Sequence, residues 1–220
     1  FTKIIKMKDL AIFGAGGFGR EIACIIKQIN AIEPKWNLIG FFDDNESLLG
    51  SSNEYGVVLG NTEVLNSWNK PLSIVIAIGN PNILRNVSEK INNQLIDFPN
   101  IIAPNACIMD YDNIKMGKGN VICPNCLISC NVELGNFNLI NVMSQLGHDT
   151  KMMNYNVVMP SVNISGGVVV GNCNLFGVKS FIIQYKTIGN NVLITPGSIM
   201  LRNGKDHTTY MGNPAKKIEL

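Results

Sequence analysis

Two histidines, His148 and His207, are available for proton transfer near neutral pH. His148 stands in Leu146-Gly147-His148-Asp149. An acidic neighbour can hold one imidazole tautomer or stabilise the imidazolium, which is what a general base needs. The plainer reading of the same residue is a solvated histidine at a turn. His207 lies in the polar run Arg202-Asn203-Gly204-Lys205-Asp206-His207 and reads as a solvated loop residue. Six cysteines are present, and Cys123-Pro-Asn-Cys126, with Cys130 four further on, has metal-ligand spacing. A tetrahedral site wants a fourth ligand, and no histidine or second cysteine pair follows at a suitable distance. These thiols therefore read as small apolar fillers in a reducing cytosol, and no metal is expected. A third candidate is Gly14-Ala15-Gly16-Gly17-Phe18-Gly19, whose three spaced glycines would let a backbone approach a phosphate.

Two kinds of element must position these residues. The first kind fills residues 9–100. Leu10-Ala11-Ile12-Phe13 reads as a buried strand, the glycine turn follows, and Arg20 to Asn30 reads as a helix with Ile22, Ile25, Ile26 and Ile29 on one face. A second strand, Leu38 to Phe42, ends in Asp43-Asp44, where a ribose or base could be reached. A third apolar run, Leu72 to Ile78, ends at Gly79-Asn80-Pro81, and a helix over 82–93 starts near that proline. Strands alternating with helices argue a small doubly wound parallel sheet. About 90 residues suit a half-Rossmann unit that takes a mononucleotide or nucleotide-sugar better than a full dinucleotide site. A glycine turn needed only for tight helix–strand packing is the competing reading.

The second kind is a repeat. From Met116 to Met200 every sixth residue is large and apolar, fifteen positions in one frame. A fixed six-residue period of that length means a parallel β-helix, in which stacked coils bury a face that one hexad cannot bury alone. The residue after the apolar one is often glycine, as at Gly117, Gly135, Gly147, Gly171, Gly177 and Gly189, which suits a tight corner. The residue two before it is usually small, β-branched or asparagine, and tucks in beside the large one. In this frame Leu146 points inward, and Gly147-His148 fall at a corner. The expected division is residues 1–103 for the nucleotide-sugar-binding unit and 104–220 for the β-helix.

A net charge of +2 with 15% charged residues and no basic block excludes nucleic acid or an anionic membrane as the evident partner. No apolar run is long enough to cross a bilayer. The opening segment shows no signal peptide, so a cytoplasmic location is expected; residues 1–6 read as an upstream extension or a processed end.

The order of these motifs carries a resemblance. The glycine turn with Arg20-Glu21, then Phe42-Asp43-Asp44, Ile76-Ala77-Ile78-Gly79-Asn80, the hexads with Gly147-His148-Asp149, and Gly212-Asn213-Pro214-Ala215-Lys216 together resemble the NeuD-type sugar O-/N-acyltransferases over residues 9–218. That resemblance implies a left-handed β-helix, a homotrimer with active sites between subunits, and acetyl-CoA as donor. It implies an acceptor amino group, or less readily a hydroxyl, on a nucleotide-linked sugar, with sialic acid O-acetylation as the neighbouring alternative. By the same resemblance His148 is the general base, Asp149 supports it, and Asn141 lies near the acceptor nitrogen. Gly14, Gly16, Gly19, Asp43, Asp44 and Asn80 hold the acceptor's nucleotide. Gly166 offers a backbone N–H to the thioester carbonyl, and Lys216 approaches the CoA phosphates. Two positions depart from the pattern: Val157 stands where some members carry a second histidine, and Pro196 removes an amide donor from a corner that is often glycine-rich.

Rival readings have less to stand on. A γ-class carbonic anhydrase on this kind of helix needs three histidine ligands, and the chain has two. An NAD enzyme would rest on one glycine motif in a domain too small for a dinucleotide. A non-catalytic nucleotide-sugar binder would leave the His-Asp pair without a purpose.

Overall fold

The computed structural model describes residues 7–219, so the expectation about residues 1–6 lies outside the described residues. The N-terminal unit runs β1 (Lys8–Phe13), α1 (Gly17–Ile32), β2 (Trp36–Phe42), β3 (Ser52–Asn53), β4 (Gly56–Gly60), α2 (Thr62–Asn66), β5 (Leu72–Ile76), α3 (Pro81–Lys90) and β6 (Ile96–Asp97). Its sheet has the order β3-β4-β2-β1-β5-β6, parallel except for the β3–β4 pair. β1 lies at the centre, and Leu10, Ala11 and Ile12 on it are fully buried. That burial explains a continuous apolar run where an alternating strand would expose one face. The β3–β4 pair and α2 are additions the sequence pattern did not reveal. The helix expected over 82–93 ends at Lys90, and Asn80 forms its N-cap.

Seventeen two-residue strands follow, from β7 (Ile101–Ile102) to β23 (Ile199–Met200). They stack into three parallel sheets, one per face of a left-handed β-helix. β7 already belongs to the first face, pairing with β10 (Val121–Ile122). Partners are eighteen residues apart, as in Val121↔Leu139, Leu127↔Gln145 and Glu133↔Lys151. The hexad residues fill the interior: Ile122, Ile128, Ile140, Leu146, Val158 and Ile164 are completely buried. β24 (Thr209–Gly212) pairs with β22 (Leu193–Ile194) and then with β25 (Ala215–Ile218) in a closing hairpin.

The corners turn by a device other than the expected one. The backbone enters the left-handed region at every sixth residue from Gly119 to Gly197, three residues after each large apolar position. Most of these positions carry side chains, among them Asn131, Phe137, Asp149, Lys179 and Tyr185. Each such L-residue costs about 1–2 kcal/mol, and burying one large apolar side chain per hexad gives roughly 1.5–3 kcal/mol, so stacking wins. The glycines directly after the apolar residues serve close approach instead. A Cβ on Gly135 would lie 2.8 Å from the Met153 carbonyl oxygen, and one on Gly171 would lie 2.6 Å from that of Gly189.

Asn120, Asn138, Asn156 and Asn174 form a buried ladder along one corner. Each Oδ1 from Asn120 to Asn156 accepts from the backbone and side-chain N–H groups of the next asparagine. Each Nδ2 also reaches a carbonyl of the neighbouring coil, so the buried amides are satisfied. Aromatic contact continues beside this ladder: Phe98 meets Phe137 edge to face at 5.1 Å between centroids, and Phe137 stacks on Tyr155 at 5.6 Å.

The first face is covered by the N-terminal unit. Its outward residues Val121, Leu139 and Val157 are 2%, 4% and 0% exposed, whereas Lys151 and Thr187 on the third face are exposed. Arg85 of α3 reaches Cys173 at the corner joining the third face to the first, Nη1 to Sγ 3.8 Å.

Candidate functional site

A cleft of about 320 Å³ opens at the C-terminal ends of β1, β2 and β5. Phe13, Gly14, Gly16, Asp43, Asp44, Ala77, Ile78, Ile83 and Val87 line it, which brings together four of the residues expected to hold a nucleotide. Gly14 has φ of +109°, and a Cβ there would lie 2.8 Å from the Ala77 carbonyl oxygen, so only glycine lets the turn pass this close to β5. Gly16 N-caps α1, has no side-chain cap, and faces open space. Gly19 does otherwise: it is buried, and a Cβ there would run into the Gly14 carbonyl oxygen, so it packs helix against strand.

The two aspartates have different work. Asp43 accepts from Ala15 N through Oδ2 at 2.8 Å and from Asn45 N through Oδ1 at 2.9 Å. It staples the glycine turn to the end of β2 and occupies an amide that a phosphate would otherwise use. Asp44 uses only Oδ1, which accepts from Thr62 N and Oγ1 at 2.9 and 2.7 Å. Its Oδ2 has no protein donor among the described residues. Asn80 caps α3, accepting from Asn82 N and Ile83 N at 3.0 and 3.1 Å, and it does not line the cleft. Among the described residues no lysine or arginine lines the cleft.

His148 and Asp149 lie at the corner between β14 (Gln145–Leu146) on the second face and β15 (Lys151–Met152) on the third. Nδ1 of His148 is 2.7 Å from Asp149 Oδ2, and the two side chains are about half exposed. The left-handed backbone at Asp149, φ 59°, is what the corner supplies between these adjacent side chains. Asn131, eighteen residues earlier, donates Nδ2 to Asp149 Oδ1 at 3.2 Å. The hydrogen bond from His148, then that from Asn131, holds the Asp149 carboxyl below the usual carboxylate range. A lowered carboxyl keeps its stabilising contacts above its unfolded pKa and loses them only as pH falls through the folded value. With Asp149 ionised, Nδ1 carries the proton and Nε2 is left as the acceptor.

Nε2 faces Gly166. A Cβ on Gly166 would strike the imidazole, 2.6 Å from its Cε1, so the bare residue leaves room for the ring. The Gly166 N–H donates to no group among the described residues. Asn141 sits at the preceding corner, before β14, and is nine-tenths buried, with Oδ1 accepting from Val142 N at 2.7 Å. Within one chain it does not join the His148 pair. Lys216 is exposed on β25, away from the His148 corner. Val157 is fully buried on the first face, and Pro196 is exposed at a corner of the last coils.

The other candidates resolve as structure. Burial pushes the Cys126 thiol up to about 11 and raises Cys123 further, so both stay protonated at neutral pH. Among the described residues no group of three or more His, Cys, Asp or Glu could hold a metal ion. His207 is exposed, next to Asp206, which ends a second asparagine run by accepting from Asn190 N at 2.8 Å. No helix among the described residues is long and apolar enough to cross a membrane. Asn131, Gly167 and Tyr185 escaped the sequence reading, although the eighteen-residue coil places Asn131 and Gly167 beside Asp149 and Tyr185 beside Gly167.

Comparison with known proteins bears on the fold. Residues 9–91 match the family model of the PglD N-terminal domain. A GDP-perosamine N-acetyltransferase of Escherichia coli O157:H7 is 30% identical over 146 residues, 66% of this chain. The match spans 65% of that enzyme's length. The acetyltransferase domain of PglB from Neisseria gonorrhoeae, solved with acetyl coenzyme A, superposes with a TM-score of 0.84 at 26% identity, covering 97% of this chain and all of that one. PerB of Caulobacter crescentus, solved with CoA and GDP-perosamine, shares the fold, with a TM-score of 0.82 at 21% identity over 97% of this chain and 99% of that one. An N-terminal unit with a glycine turn and an aspartate pair, set on a left-handed β-helix, is thus the architecture that this chain shares with the PglB acetyltransferase domain, and its residues 9–91 match the PglD N-terminal domain.

Proposed function

We propose that this protein transfers the acetyl group of acetyl-CoA to an amino group of a nucleotide-linked sugar by direct attack, with His148 as general base. The observation that carries the reading is the His148 pair: Nδ1 is engaged by Asp149, which leaves Nε2 free on the surface above a bare glycine. Nε2 takes a proton from the attacking nitrogen as its lone pair bonds to the acetyl carbon. The Gly166 N–H, without an internal acceptor, suits the oxyanion that then develops on the carbonyl oxygen. Collapse expels the CoA thiolate. No cysteine or serine nucleophile is needed, and the two most buried thiols of the coil are held protonated.

The N-terminal cleft holds the acceptor by its nucleoside end. Ile78, Ile83 and Val87 offer apolar contact to a base, Asp44 Oδ2 is open to a base N–H or ribose hydroxyl, and no cation lines the cleft for a diphosphate. The phosphates then leave the cleft toward the α1 N-terminus, whose partial positive charge favours them. The cleft and His148 lie on different sides of one protomer, so a complete site draws on two subunits. A cyclic trimer meets that need.

The test is acetyl-CoA consumption, read as free thiol, with UDP-, dTDP- and GDP-linked 4-amino-4,6-dideoxy sugars. GDP-linked sugars come first, because the Escherichia coli relative is a GDP-perosamine enzyme. Turnover with one series, lowered about 10²–10⁴-fold in kcat by His148→Ala, is the expected result. Turnover that His148→Ala leaves intact removes His148 from the mechanism. Turnover only with hydroxyl acceptors replaces N-acetylation by O-acetylation.

A further inference from the structure

Gly166 and Gly167 lie one coil below His148 and Asp149. A Cβ on Gly166 would meet the His148 ring, and a Cβ on Gly167 would meet the ring of Tyr185, 2.6 Å from its Cε1. The left-handed backbone does not by itself demand glycine at 167, because eleven of the fourteen equivalent corner positions carry side chains. The pair is bare because two rings occupy the space that side chains would take. Consecutive Cα atoms are about 3.8 Å apart, so imidazole and phenol flank a strip of bare backbone at most about 12 Å wide. Tyr185 is 71% exposed, so beyond its contact with Gly167 the ring presents a face to solvent at the site of proton transfer.

Charge gives this corner a direction. Its first coil carries Asp110 and Asp112, and the coils below His148 carry Lys186 and Arg202. An elongated ligand with an anionic end lies more favourably with that end toward Lys186 and Arg202. Its path from Gly166 then crosses Tyr185.

We propose that Tyr185 is a donor-binding residue: its ring forms the second wall of the transfer cleft and packs on the thioester arm of acetyl-CoA, whose phosphates extend toward Lys186 and Arg202. This rests on the reading of the chain as an acetyl-CoA-dependent transferase. The role belongs to the ring face, so Tyr185→Phe keeps it and Tyr185→Ala loses it.

The experiment is calorimetric binding of acetyl-CoA to the wild type and both variants, together with KM values for donor and acceptor. Tyr185→Ala is expected to weaken acetyl-CoA about tenfold in both Kd and KM, the loss of one aromatic contact. The acceptor KM and the melting temperature stay as in the wild type, and Tyr185→Phe binds as the wild type does. Unchanged acetyl-CoA affinity in Tyr185→Ala, or an effect confined to the acceptor KM, overturns the proposal. Binding is read without an acceptor. A wild type that binds acetyl-CoA but acetylates no amino sugar therefore refutes the acceptor reading and still tests Tyr185, whereas a wild type that binds no acetyl-CoA refutes both.

Discussion

At Gly166 a single hydrogen atom decides where the proposed base sits. The His148 imidazole rests over this residue, and a methyl group there would lie 2.6 Å from the ring's Cε1. Gly166→Ala keeps the backbone N–H, so it displaces the ring without removing the amide donor. Misplacing a catalytic group by about 1 Å can cost about 10²-fold, and that loss in kcat is the expected outcome. The backbone at 166 is outside the left-handed region and its Cβ would point outward, so the melting temperature should move little, as for surface changes within about 0.5 kcal/mol. A Gly166→Ala variant that keeps full kcat shows that the imidazole works from another position. The His-Asp pair itself was legible in the sequence as two adjacent letters. The support from Asn131 was not, because adjacency across coils is a property of the eighteen-residue turn, and the side-chain hydrogen bond that uses it depends on rotamers.

At the scale of the element, the hexad and the corner obey different rules. The apolar frame was fully legible: one residue in six must fill the interior, and from Ile122 to Met200 each of those residues is buried. The corner was not, because its left-handed residue has no fixed type; asparagine, phenylalanine, methionine and lysine all occupy it. The glycines that draw the eye in the sequence sit two residues earlier and answer to the neighbouring coil's backbone. This separation predicts a stabilising change. Lys179 is exposed, with φ 57°. Its left-handed conformation costs about 1–2 kcal/mol, and glycine's extra freedom in the unfolded chain costs about 0.5–1 kcal/mol. Lys179→Gly therefore gains up to about 1.5 kcal/mol, and each 1 kcal/mol raises the melting temperature by about 2–4 °C. A lower melting temperature by calorimetry shows that the lysine side chain makes contacts worth more than the backbone relief.

At the scale of the whole molecule, the two halves of the proposed site are held apart by the same packing that makes the chain one body. The N-terminal unit covers the first face, α3 carries both the cleft residues Ile83 and Val87 and the Arg85 that touches Cys173, and His148 lies at the corner opposite that face. Both units were legible from the order of motifs along the chain. Their arrangement was not, because it depends on which outward strand residues are apolar, Val121, Leu139 and Val157 among them, and on what covers them. A site shared between subunits has a signature that a site within one subunit cannot show. Gly16→Leu grows a side chain into open space in the cleft without touching the fold, and His148→Ala removes the base. Each variant alone is expected to be inactive. Co-expressed in equal amounts, they assemble mixed trimers in which an intact cleft meets an intact His148 at roughly a quarter of the subunit contacts of a cyclic trimer, so roughly a quarter of the wild-type activity returns. Mixed protein that remains inactive, although it sediments as a trimer containing both variants, places cleft and base in the same chain and removes the shared site.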